Sequence, residues 1–175
     1  TALTQITHLI YADDLVLLFS DPTEMERILH ILDTGLSSFG LRMNRDKTKY
    51  LVQHGAMEKC PGPVADHICV EGEKVKRVQS FDYLGSTFTE EGDVLTDIQN
   101  RVGKATRSCG KLSKVFWSRH INAELKWAIF MSFIYPILTY SCECWFFRGV
   151  EKATLKNFWH KWVRIICGVT KVDHI

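Results

Sequence analysis

At 175 residues, of which 46% are hydrophobic and 24% charged, the chain is long enough to bury a core and too apolar to be disordered by composition. Its formal net charge of +2 conceals a split, because residues 1–100 carry 9 basic and 16 acidic side chains whereas residues 101–175 carry 13 and 4. This split suggests that the second half contacts a polyanion and that the first half holds acids for a metal; ordinary solvated helix faces are an equal alternative.

The first predicted element is a tight antiparallel hairpin from Ile6 to Phe19. Two apolar runs, each with the length and residue types of a strand, meet at Tyr11-Ala12-Asp13-Asp14, and so short a junction turns the second run back along the first. Adjacent carboxylates repel unless a cation lies beside them, and hard oxygen ligands on a rigid turn suit Mg²⁺. A solvated acidic turn is the alternative. Because the apolar strands should be buried on at least one face, the pattern favours a metal site.

A helix is predicted next, between Asp21 and Gly40. Asp21 is a good N-cap, Pro22 suits the first helical position, apolar residues then recur at spacings of three and four, and Gly40 ends the helix. We expect its apolar face to pack across the back of the hairpin. Two short strands, 41–44 and 48–52, should follow and flank a polar turn at 45–47.

The stretch from His54 to His67 holds two glycines and two prolines, which predicts a mobile surface loop. The spacing of its His and Cys residues matches no compact zinc site. A hairpin over 68–78 and the segment Phe81-Asp82-Tyr83-Leu84-Gly85-Ser86 should follow. Gly85 would allow a close backbone approach, and Phe81 or Tyr83 could present an aromatic face to a sugar or base. An edge hairpin with ordinary core aromatics is the alternative.

From Asp93 onward the chain is predicted to be helical. In the first helix, apolar residues from Val94 to Leu112 share one face while basic residues fall largely elsewhere. Such a helix can lie along a phosphate backbone, where each basic residue adds to the salt dependence of binding without reading sequence. An ordinary solvated face is the alternative. The basic residues are Arg101, Lys104, Arg107, Lys111 and Lys114.

Two further helices should complete the chain. Asn122 caps the first of them, and its middle, residues 128–142, is almost entirely apolar. That run is shorter than the ~20 residues of a membrane span and contains Pro136, so we expect a buried helix and no membrane partner. The last helix, from Glu151 to Cys167, should end at Gly168.

The six cysteines form no CxxC pair and show no metal-knuckle spacing with His. We therefore expect reduced thiols, an intracellular protein of the cytoplasm or nucleus, and no disulfide-linked partner. The first residues have the pattern of neither a signal peptide nor a transit segment. Cys142 and Cys144 lie too close in a helix-like context to pair easily, which predicts two small core residues.

Four segments, in the same order, resemble the reverse transcriptases of non-LTR, LINE-like retrotransposons. Tyr11-Ala12-Asp13-Asp14 looks like their active-site box, Gly40-Leu41-Arg42-Met43-Asn44 with Lys47-Thr48-Lys49 like the next palm motif, Phe81 to Ser86 like the primer-grip hairpin, and Arg101 to Trp145 like the thumb. The resemblance implies an α/β (α+β) fold: a partial polymerase palm of antiparallel strands with a packed helix, residues 1–91, followed by an all-helical thumb, residues 92–175.

The resemblance also implies roles for individual residues. Asp13 and Asp14 would hold two Mg²⁺ ions, with Mn²⁺ as an alternative, and Asp13 is the firmer ligand. Lys47, and after it Lys49, could neutralise triphosphate charge or give a proton to the departing pyrophosphate, although a surface lysine is the alternative for each. The residues assigned to the nucleotide are Tyr11, Ala12, Lys47 and Lys49, and those assigned to the primer grip are Phe81, Tyr83, Leu84 and Gly85.

The implied activity is that of an RNA-directed DNA polymerase, which joins dNTPs to a DNA primer on an RNA template. In the resembled family, a third carboxylate and the fingers lie upstream of the active-site box. We therefore expect the chain to be a fragment of a longer parent protein and inactive alone. Two alternatives stay open: a nucleic-acid-binding palm and thumb module without chemistry, and an inactive remnant of a mobile element.

Overall fold

The computed structural model describes residues 6–44, 46–53, 67–70 and 73–169, and it has a mixed α and β fold. The predicted α+β class is confirmed. The chain forms two compact units. The first contains the described residues up to Phe81 together with Thr89–Glu91, and the second contains Asp82–Phe88 and the described residues from Gly92 onward. The predicted loop and its zinc candidates lie outside the described residues, apart from the strand that begins at His67 and includes Cys69.

The first unit opens with the predicted hairpin, in which β1 (His8–Tyr11) pairs antiparallel with β2 (Asp14–Leu17). The sequence predicted a buried face for these strands, but every residue of β1 is exposed, and Ile10 is 67% exposed. This prediction is wrong for the part of the chain that the structure describes, because there the hairpin is a sheet of two strands with no third strand beside it.

Helix α1 (Pro22–Ser38) begins as predicted, because the Asp21 carboxylate accepts a hydrogen bond from the backbone N–H of Thr23 at 2.8 Å. It ends before Gly40, which has a φ of 71° and so adopts the left-handed conformation that glycine favours. Both ends of the helix therefore follow from local sequence signals.

A three-stranded sheet follows in the order β3, β5, β4, with β3 (Lys49–Tyr50) parallel and β4 (His67–Val70) antiparallel to β5 (Glu73–Arg77). The predicted strand over 41–44 does not form. Instead the Asn44 carbonyl accepts hydrogen bonds from the backbone N–H and the hydroxyl of Thr48, at 2.9 and 2.8 Å. This local turn takes the place of a strand ladder.

The core of the first unit lies between α1 and this sheet. Leu29 is the buried residue of α1, and the sheet supplies Tyr50, Ile68, Val70 and Val75. The prediction that α1 packs across the hairpin is therefore corrected, since the helix covers the three-stranded sheet. The hairpin reaches this core through Leu17.

Strands β6 (Ser80–Tyr83) and β7 (Ser86–Thr89) form a second hairpin, joined by a turn at Leu84–Gly85. The φ angles of the two turn residues are 49° and 82°. Positive φ at both positions gives a turn whose twist matches that of the flanking strands, although it strains any residue other than glycine.

The second unit is mostly helical. Asn122 caps one helix as predicted, since its side chain accepts a hydrogen bond from the backbone N–H of Leu125 at 2.9 Å. Gly168, with a φ of 69°, follows the last helix as predicted. Within the described ranges, no helix is both long and apolar enough to cross a bilayer. The helices are α2 (Leu95–Lys111), α3 (Ser113–Phe116), α4 (Ala123–Ile129), α5 (Tyr135–Thr139) and α6 (Gly149–Cys167).

The predicted continuous helix over 123–142 is interrupted. A π-helical turn at Phe130–Ile134 separates α4 from α5, and Pro136, which has no N–H to donate, lies directly after it. The chain then leaves the helix, and Ser141 adopts a φ of 65°. As a result Cys142 and Cys144, which were predicted to be core residues, are exposed in a short 3₁₀ helix.

The core of the second unit is built on facing aromatic and aliphatic side chains of the helices. Cys109 is buried there, and burial raises the pKa of its thiol to about 12, against a smaller opposing effect of Lys161. That thiol is therefore uncharged at neutral pH and serves as a small apolar side chain. The core residues are Ala105, Cys109, Phe116, Phe130, Ile134, Leu138, Phe158, Trp162 and Ile166.

Candidate functional site

The two aspartates lie at the tip of the first hairpin. Because Tyr11 pairs with Asp14, the turn consists of Ala12 and Asp13, and Asp14 is the first residue of β2. Ala12 has a φ of 53°, an unusual value for a residue with a side chain that costs about 1 kcal/mol. Strained backbone residues of this kind cluster at functional sites.

Asp13 and Asp14 are both exposed, so their oxygens are accessible to a ligand. Two neighbouring carboxylates on a tight turn fit Mg²⁺, which is usually held by one or two carboxylates and completes its octahedron with water and substrate oxygens. No group of three His, Cys, Asp or Glu residues suited to a metal is found among the described residues. If the pair holds a metal ion, further ligands would have to come from substrate, water or other residues.

Lys47 and Lys49 follow α1 in the same unit, and both are exposed. The backbone N–H of Lys47 donates to the Asn44 side chain at 3.1 Å, which fixes the turn that carries it. Lys49 lies on β3 and is paired in register with Lys76 of β5. Neither lysine forms an ion pair with Asp13 or Asp14 in the part of the chain that the structure describes.

The predicted primer-grip residues lie on the β6–β7 hairpin. Phe81 and Tyr83 are two residues apart on β6 and therefore point to the same face, where both are half-buried. Leu84 and Gly85 form the exposed turn.

The turn is held by side chains that lie far away in the sequence. The Tyr140 hydroxyl donates to the carbonyl of Leu84 at 2.8 Å, and the Arg101 guanidinium donates to the carbonyl of Gly85. The Arg101 guanidinium carbon also lies 4.3 Å from the centre of the Tyr140 ring. Sequence reasoning missed Tyr140, because nothing local links it to a turn 56 residues earlier.

Asp97 is a second residue that sequence reasoning missed. It is 4% exposed and accepts hydrogen bonds from the backbone N–H of Thr87 at 3.0 Å and from the indole of Trp145 at 2.9 Å. Its carboxylate also lies 3.8 Å from Nε of Arg101. The spacing of four residues between Asp97 and Arg101 on one helix was a signal for this ion pair.

The five basic residues predicted to contact nucleic acid divide into two groups. Lys104, Arg107 and Lys111 are exposed on α2 at spacings of three and four, which places them on one face, and Lys114 is exposed on α3. We call these four residues the basic stripe. Arg101, in contrast, is 5% exposed and is engaged with the hairpin turn.

An open cleft in the first unit is lined by Lys76, Arg77, Val78, Gln79 and Glu90. Arg77 donates to the Glu90 carboxylate from Nε at 2.9 Å and from Nη2 at 2.8 Å, so the guanidinium charge is largely neutralised. None of the predicted site residues lines this cleft.

Comparison with known proteins identifies a family and a relative. The family of reverse transcriptases (RNA-dependent DNA polymerases) matches residues 1–88, which include both aspartates, both lysines and the second hairpin turn. An uncharacterized transposon-derived protein of Caenorhabditis elegans is 28% identical over 165 residues, which cover 94% of the chain and 58% of that protein. The chain thus spans less than two thirds of this relative. No solved structure matches the chain.

Proposed function

The chain belongs to the family of reverse transcriptases, and from this premise we propose that it is the palm and thumb part of a LINE-like retrotransposon polymerase. The parent protein would extend a DNA primer on an RNA template. Residues 1–91 would form the end of the palm, and residues 92–175 the thumb. The observation that carries the proposal is the tight hairpin that presents Asp13 and Asp14 at its tip within the region matched by the family.

The two aspartates would bind Mg²⁺, which when bound supplies charge neutralisation at the triphosphate and activation of the primer 3′-hydroxyl. The tight turn at Ala12 and Asp13 sets the backbone from which both carboxylates project. Tyr11 and Ala12 would border the incoming nucleotide. Lys47, or failing that Lys49, would bind the triphosphate or give a proton to pyrophosphate; the exposure of both side chains is compatible with this role.

The basic stripe would hold the phosphate backbone of the template-primer. Its four side chains are exposed and carry one sign of charge, which suits a sequence-independent grip. This feature also favours the second candidate function, a nucleic-acid-binding module that performs no chemistry. Primer extension on an RNA template with Mg²⁺ separates the two. We expect activity from the parent protein, which a module without chemistry would lack. We expect none from the 175-residue chain in either case.

A charge-neutralising double variant tests the basic stripe. We expect Lys104→Gln with Lys111→Gln to reduce the slope of log binding constant against log salt by about two, because each phosphate contact contributes about one unit. The measurement is fluorescence anisotropy of the 175-residue chain with an RNA–DNA duplex at several salt concentrations.

The matched control is Lys152→Gln with Lys156→Gln, which removes the same charge from the exposed face of α6. We expect this control to keep the slope of the unaltered chain. Equal loss in both double variants would mean that net charge, and not the basic stripe, governs binding.

A further inference from the structure

Both carbonyl groups of the Leu84–Gly85 turn are bound by side chains of the helical part of their unit. Tyr140 donates to the first carbonyl and Arg101 to the second. Carbonyls at the tip of an exposed hairpin are ordinarily solvated, and water would satisfy them at no structural cost. Two dedicated side-chain donors therefore indicate that the conformation of this turn is specified.

The two donors are themselves fixed in place. Arg101 is stacked on the ring of Tyr140 and lies beside the buried carboxylate of Asp97. That carboxylate also accepts from the indole of Trp145 and from the backbone of β7 at Thr87. One buried acid thus joins the hairpin, helix α2 and the segment that follows α5.

The turn requires such support. Leu84 adopts a φ of 49°, which disfavours a residue with a side chain, and strands of four residues form a hairpin that is marginal by itself in water. Gly85 has a φ of 82°, and a Cβ there would contact Arg101 and Tyr140 at 3.6 Å. The turn, Arg101 and Tyr140 therefore fit one another closely.

We propose that Arg101 and Tyr140 are positioning residues that lock the Leu84–Gly85 turn in the conformation that receives the end of the primer strand. This inference rests on the proposed function, in which the β6–β7 hairpin is the primer grip that the resemblance to reverse transcriptases implies. Arg101 acts through the turn and not by contact with phosphate, since its guanidinium is buried against Asp97, Gly85 and Tyr140. Tyr140 contributes its hydroxyl to the turn and its ring to Arg101.

The test uses Tyr140→Phe, which removes the hydroxyl and keeps the ring beneath Arg101. We expect amide hydrogen exchange at Leu84–Ser86 of the 175-residue chain to accelerate about fivefold, the effect of one ordinary hydrogen bond. We also expect the preference for a duplex with a recessed 3′ end over a blunt duplex to fall by a similar factor. Tyr135→Phe is the control, because this exposed tyrosine packs on Trp159 and lies outside the network.

The salt dependence of binding separates a positioning role from a phosphate contact. Arg101→Gln should leave the salt slope unchanged while lowering the preference for recessed ends, whereas loss of a phosphate contact would reduce the slope by about one. Because Arg101→Gln removes the only cation that the structure pairs with the buried Asp97 among the described residues and could unfold the unit, Arg101→Lys, which keeps the charge, is measured beside it. The Arg101→Lys variant should retain part of the preference for recessed 3′ ends.

The exchange rates, the preference for recessed ends and the salt slopes together test whether Arg101 and Tyr140 position the turn. Faster exchange together with a weaker preference for recessed ends, at constant salt slope, supports it. Unchanged exchange in Tyr140→Phe, or a slope reduced by one in Arg101→Gln, overturns it. If the unaltered chain binds recessed and blunt duplexes equally, the primer role of the hairpin is lost and the proposed function fails at this point, even where the exchange data show that the turn is locked.

Discussion

Primer extension by the parent protein should fall about 10³-fold or more in the variant Asp13→Ala. The carboxylate stands at the hairpin tip, where it would be the main metal ligand, and metal-assisted stabilisation of transition-state charge is worth several kcal/mol, which corresponds to that loss in rate. The measurement is the rate of dNTP incorporation on an RNA template at saturating Mg²⁺. Asp13→Asn, which keeps the shape of the turn and removes the charge, should lose nearly as much.

Glu26→Ala is the matched control, because it removes one exposed carboxylate from α1 in the same unit. We expect it to retain the rate of the unaltered protein. Extension that survives Asp13→Ala would show that the metal is held elsewhere, and it would leave the hairpin pair as the acidic solvated turn that the sequence also allowed.

The second large effect concerns the core of the helical unit. We expect Phe130→Ala to lower the free energy of unfolding of this unit by about 3–5 kcal/mol, because Phe130 is fully buried and contacts several aromatic rings. A loss of this size is a large part of the stability of an ordinary domain. Urea unfolding followed by tryptophan fluorescence measures it specifically, since all five tryptophans of the chain lie in this unit.

Phe133→Ala provides the comparison, because this phenylalanine lies in the same π-helical turn and is 64% exposed. Its loss should change the free energy of unfolding by less than about 0.5 kcal/mol. Similar losses in the two variants would mean that Phe133 is covered in solution or that Phe130 does not anchor the core.

The elements that the sequence predicted correctly are those with local signals. Asp21 and Gly40 bound α1, Asn122 caps α4 and Gly168 follows α6, because each acts on backbone groups within a few residues. The tip of the first hairpin was also predicted from a local signal, since two strand-like runs meet at a junction that is too short for any other path. The residue pattern alone was therefore enough to place the candidate metal ligands at the tip of a hairpin.

The features that sequence reasoning missed depend on contacts between distant residues. The apolar run over 128–142 predicted one helix, but Pro136 and the π-helical turn redirect the chain and leave Cys142 and Cys144 exposed. The side chains that bind the Leu84–Gly85 turn are Arg101 of helix α2 and Tyr140. The hydrophobic periodicity of a sequence does not predict such contacts between distant residues. Likewise, α1 covers the three-stranded sheet because the buried residues of that sheet, and not those of the hairpin, offer it a continuous apolar face.

The exposure of β1 has a practical consequence for work with this chain. In the described part of the molecule, both strands of the first hairpin are edges, and Leu9, Ile10 and Leu15 present apolar side chains to solvent. Unpaired backbone donors and acceptors beside an apolar surface are a template for strand addition by another molecule. Two chains that meet at this edge can extend each other's sheets, so self-association at high concentration would compete for the surface that carries the aspartates.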